Sequence, residues 1–128
     1  LAARADLGRH LAKVDAAACR EFAGGGIQRV DKLDAEGQRL FKRVLTALDT
    51  AYRSGRVPGA KVTPPLDLPG FATLLTEAGF SQTDLQALDD SAKLGDAEIC
   101  ALQLRIDSAP TKLTSAQRGS FARFVLAQ

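Results

Sequence analysis

Apolar residues recur at spacings of three and four along most of this chain, the period of helices with one buried face. Leu7, Leu11, Val14, Ala18 and Phe22 predict a first helix over about residues 3–23, ended by Gly24-Gly25-Gly26. Leu40, Phe41, Val44, Leu45, Leu48, Ala51 and Tyr52 predict the clearest element, a helix over about 34–54. Arg39, Lys42, Arg43, Thr46, Thr50 and Arg53 fall on its opposite face. Asp34 is placed to cap its start, and Gly55 stands just past its end. The stretch GRVPGAKVTPPLDLPG, about residues 55–70, then holds four of the five prolines and is expected to be a long connection without helix.

Shorter helices fill the second half. One is predicted over about 71–78 and stops at Gly79. Three helix starts share one capping logic: Ser81 with Asp84, Gly95 with Glu98, and Thr114 with Gln117. At the first two, Phe80 and Leu94 are placed to staple onto Leu85 and Ile99. Over about 96–107, Ile99, Leu102 and Ile106 lie on one side and Cys100 and Leu104 on another, the wide apolar arc of a central helix. Pro110 closes that segment, and Phe121, Phe124, Val125 and Leu126 give the last helix, 115–127, its core face. Strand-like alternation is absent. The expected fold is an all-α, compact bundle of five or six helices in a single domain, 1–128.

Length and composition are consistent with this: 128 residues suit one core. With six Phe, one Tyr and no Trp, that core must be mostly aliphatic. No apolar run approaches the ~20 residues of a membrane-spanning helix. The net charge of +2 is small, but residues 1–64 carry twelve Lys and Arg against seven Asp and Glu, and residues 65–128 five against eight. Either the halves complement each other across their own interface or the first half presents a basic surface. The chain begins at Leu1 and contains no Met, as expected of a trimmed chain or of a mature product whose signal peptide has been removed. An even cysteine number agrees with an oxidising compartment, and a periplasmic or secreted location is expected, with the cytoplasm as the alternative.

Candidate chemistry is sparse. A nucleophilic cysteine needs a base, and the single histidine, His10, lies nine residues before Cys19, on the opposite face if their helix is continuous. Two distant cysteines and one histidine provide no metal-ligand spacing. Asp89, Asp90 and Asp96 fail as a calcium loop, because Lys93 and Leu94 stand where it needs a ligand and a glycine. The glycine run follows a helix rather than opening one, so it faces carbonyls and suits no phosphate. LLTEAGFSQTDLQALDD, residues 74–90, resembles the generic helix-turn-helix pattern, which implies DNA reading by its second helix. That helix offers Asp84, Asp89 and Asp90 and no arginine, and carboxylates are repelled by phosphates.

Two features remain. Cys19 and Cys100 fall where the first and fifth helices could meet, and a disulfide between them is expected, with inert buried thiols as the alternative. Arg39, Lys42, Arg43 and Arg53, extended by Arg56 and Lys61, form a basic face suited to an acidic protein partner or simply to solvent. We therefore expect a non-enzymatic protein-binding module of the inhibitor, immunity or accessory-subunit type, with no catalytic residue, metal or cofactor. The alternative is a cytoplasmic, nucleic-acid-associated regulator using the 74–90 corner.

Overall fold

A computed structural model describes residues 1–56 and 66–126, and among these every regular element is helical. The α-helices are α1 (Ala2–Val14), α2 (Ala16–Ala23), α3 (Ala35–Gly55), α4 (Leu68–Glu77), α5 (Gln82–Asp89), α6 (Asp96–Ser108) and α7 (Ser115–Leu126). Short 3-10 turns at Val30–Lys32, Ser91–Lys93 and Ala109–Lys112 join α2 to α3, α5 to α6 and α6 to α7.

The described residues hold one more α-helix than expected, because the first apolar stripe is split. Asp15 leaves helical geometry (φ −158°, ψ 94°), and its carboxylate accepts the backbone N–H of Ala18 at 3.0 Å. It therefore caps a new helix instead of continuing the old one. A second correction concerns the proline-rich connection, whose residues 57–65 lie outside the described residues. Asp67 accepts the Gly70 N–H at 2.8 Å and starts α4 at Leu68, so Pro69 and Gly70 are helical. Proline in a first turn loses only an N–H that has no helical acceptor there.

The other helix ends follow the local grammar. Asp34 caps α3 by accepting from Gly37 at 2.7 Å. Ser81 and Asp84 form a reciprocal capping box, and Gly95–Glu98 and Thr114–Gln117 supply the equivalent contacts before α6 and α7. Both glycine stops share one geometry. After α2, Gly26 N–H donates to the Glu21 carbonyl and Gly25 N–H to that of Phe22, with Gly25 at φ +117°. After α4, Phe80 N–H donates to Leu75 and Gly79 N–H to Thr76, with Gly79 at φ +94°. This pair of bonds, the Schellman motif, needs a left-handed residue, which is why glycine stands there.

Two apolar clusters form the interior. The first unites Leu7, Leu11, Cys19, Phe22, Ile27, Leu33, Leu40, Val44 and Cys100. The second unites Leu74, Leu75, Ala78, Phe80, Ile106, Ala109, Leu113 and Phe121. Helix α6 is central as expected: it carries Cys100 into the first cluster and Ile106 into the second. Helix α1 packs on α3 and α6, α2 on α6, and α4 on α7.

Cys19 of α2 and Cys100 of α6 are joined as a disulfide, their Cα atoms 5.5 Å apart. Ion pairs also cross between the halves: Arg20 reaches Asp96 at 2.9 Å, and Arg4 reaches the buried Asp107 at 3.4 Å. Part of the charge imbalance along the chain is thus balanced internally.

Candidate functional site

The face of α3 opposite the core is where the sequence places a partner, and the structure alters its chemistry. Most of its cations are engaged. Arg39 grips Glu36 through two bonds of 2.8 and 2.6 Å, Arg43 meets Asp6 of α1 at 3.4 Å, and Arg53 meets Asp49 at 2.9 Å. Arg56 donates to the Tyr52 hydroxyl at 3.1 Å and lies over its ring. Lys42 alone of these five has no such contact among the described residues. Lys61 lies outside the described residues. Exposed pairs of this kind are weak and exchange readily, so the face can rearrange toward a stronger acidic partner.

The apolar stripe of α3 is the second change. Leu40 and Val44 are buried, but Leu45 is 50% exposed, Leu48 39% and Tyr52 63%. Leu45 lies abreast of α1 but is turned about 100° from the buried Val44, whereas for Leu48 and Tyr52 the cause is length. At 1.5 Å per residue α3 extends ~31 Å, whereas α1, its main neighbour, extends ~20 Å. The C-terminal turns of α3 thus run past their support. Leu45, Leu48 and Tyr52, at spacings of three and four, share one strip, with Lys42, Arg53 and Arg56 beside it. The sequence assigns these residues to the core, and for Leu48 and Tyr52 only the relative lengths of the helices reveal otherwise.

A cleft of about 560 Å³ opens between the two clusters. Leu48, Phe71, Leu88 and Val125 line it together with the half-buried Arg4 and Gln103 and the buried Ile106. It shares Leu88, Gln103 and Ile106 with an adjoining hollow of about 400 Å³ that ends at Arg20. Asp107 stands behind Arg4, its side chain 1% exposed. It accepts from Arg4 Nε at 3.4 Å and from Gln103 Nε2 at 3.2 Å, while the Arg4 guanidinium covers the Phe22 ring at 4.6 Å. Burial outweighs these contacts and holds the Asp107 carboxyl above its ordinary range. Nothing in the sequence pattern marks Arg4 or Asp107, which meet from helices 103 positions apart.

The remaining candidates resolve simply. Cys19 is cross-linked, and His10 Nε2 bonds Asp34 Oδ1 at 2.8 Å, bracing the start of α3. The premise of a continuous helix between His10 and Cys19 fails at Asp15, but the two residues still do not form a dyad. In the 74–90 corner, Asp84 is bound bidentately by Arg105, whose guanidinium lies over Phe80 at 4.4 Å. That guanidinium, ahead of the Ser81 bonds, holds the Asp84 carboxyl well below the usual carboxylate range. The first turn of α5 is therefore committed to holding α6. No group of three or more potential metal ligands occurs among the described residues, and no described helix is long and apolar enough to cross a membrane.

No protein-family model matches this chain, and no curated protein or solved structure matches it either.

Proposed function

We propose that this protein is a non-enzymatic binding module that docks an acidic amphipathic helix of a protein partner along the outer face of α3. The observation that carries the reading is the strip of Leu45, Leu48 and Tyr52, standing exposed on a regular helix beside Lys42, Arg53 and Arg56. Apolar anchors flanked by cations fit a helix with apolar residues at matching spacings and carboxylates at its edges. Tyrosine and arginine are also the residue types that most often dominate such interfaces. Arg39 and Arg43 lie farther round α3, Arg43 turned toward Asp6 of α1, and stand outside this strip. Inhibitor, immunity and accessory-subunit proteins all act through contacts of this kind, and an oxidising, exported setting accords with the disulfide.

A displayed library of helix-forming peptides tests the reading. Selection on the intact protein is expected to enrich acidic sequences with apolar residues three and four apart. Leu45→Asp and Lys42→Glu, at exposed positions, should leave the melting curve unchanged while weakening the selected peptides at least tenfold. Enrichment of basic peptides, or binders indifferent to both substitutions, would overturn it.

A further inference from the structure

The cleft between the two clusters shares Leu48 with the α3 docking strip but differs from it in chemistry. Its volume of about 560 Å³ lies within the ~300–1,000 Å³ of small-molecule sites. Phe71 supplies an aromatic wall, stacked on Phe124 at 4.3 Å between centroids. Leu88 and Val125 continue that wall, and Ile106 closes its depth. The polar groups gather at one place. Arg4, itself half-buried, lines the cleft beside Gln103, and its one hydrogen bond among the described residues runs from Nε to Asp107. Its terminal N–H groups are thus left to other acceptors, while its plane is fixed between Asp107 and the Phe22 ring. A planar cation in the wall of an apolar cleft recognises a carboxylate attached to a hydrocarbon body.

We infer that this cleft binds a straight-chain monocarboxylate, with the carboxylate on Arg4 and the alkyl chain along Phe71, Leu88 and Val125. The carboxylate accepts from the guanidinium, and no bond is made or broken. Length selectivity follows from burial: each methylene removed from water contributes about a fourfold gain. Charge selectivity follows from Arg4, which attracts an anion and repels an ammonium of the same length.

Isothermal titration of the whole protein with octanoate, hexanoate and octylamine tests this. Octanoate is expected to bind one to one, hexanoate about 15-fold more weakly, and octylamine at least tenfold more weakly than octanoate. Val125→Trp fills the cleft and should abolish binding; Leu88→Trp does the same from α5 should the first variant fold poorly. Arg4→Gln combined with Asp107→Asn leaves no lone charge buried and should remove the preference for octanoate over octylamine. Absence of octanoate binding at millimolar concentration, equal binding of octylamine by the native protein, or undiminished binding to the folded, cleft-filled variants would each overturn the inference.

Discussion

Single residues here carry more than position, and Asp107 and Gly79 show it in different ways. Burial raises the Asp107 carboxyl above its ordinary value of 3.8 despite Arg4 and Gln103. The folded chain therefore holds that proton more tightly than the unfolded chain. The contribution is fully present below the ordinary value and is lost as pH rises through the raised one. The other shifted carboxylates, Asp31, Asp34, Glu36 and Asp84, are lowered, and their contributions fade in the opposite direction, as pH falls. Comparing wild type with Asp107→Asn cancels those common terms. Urea midpoints between about pH 4 and 7 should show the stability of the wild type relative to the variant falling as pH rises. A difference that stays flat with pH would contradict the assignment. At Gly79 the issue is backbone alone. Its φ of +94° closes α4, and an added Cβ would also meet Lys112 Nζ at 3.3 Å. Lysine can swing away, but the left-handed backbone cannot relax. Gly79→Ala should cost about 1–2 kcal/mol in chemical denaturation.

Among the elements, α2 and α6 depend most on a bond that leaves no trace in local pattern. The Cys19–Cys100 disulfide spans 81 positions, and the chain-entropy treatment assigns closure of such a loop about 4.5 kcal/mol. Replacing both cysteines with alanine should lower the unfolding free energy by that order, read from urea curves under identical conditions. Loss of under 1 kcal/mol would mean that α2 and α6 are held chiefly by their packing. These elements also show which features were legible in the chain. Helix ends were, because Ser81, Gly95, Thr114 and the two glycine stops act on neighbours within a turn. The boundary at Asp15 was not, since the apolar spacing continues smoothly across it and a cap is visible only once the backbone bends. The Cys19–Cys100 pairing was legible too, because the helix faces of the two cysteines bring them within reach of one another. The basic face of α3 was legible as a list of residues, but its partial neutralisation by Asp6 was not, because that carboxylate arrives from α1. The exposure of Leu48 and Tyr52 depends on where α1 ends relative to α3, and the cleft depends on Arg4 meeting Asp107. Both are properties of packing between distant segments.

At the scale of the whole molecule, two apolar clusters meet along α6, and the disulfide lies entirely within the first of them. The second contains no cross-link and is tied to the first chiefly through α6 itself, the Arg4–Asp107 contact and the Arg105–Asp84 pair that fixes α5 onto α6. Removing the cross-link therefore acts on α1, α2, α3 and the Cys100 end of α6 before it acts on α4 and α7. Local opening free energies differ between such cooperative units, and amide exchange resolves them. In the Cys19→Ala/Cys100→Ala variant, amides of α2 and of α6 near position 100 should lose far more protection than those of α4 and α7, whose packing around Phe121 is untouched. An equal loss across all seven α-helices would mean that α6 couples the clusters into one cooperative unit. The unequal loss expected here would make the cleft the boundary between two units that open separately. A ligand bridging Arg4 to Val125 would then slow exchange on both sides of it.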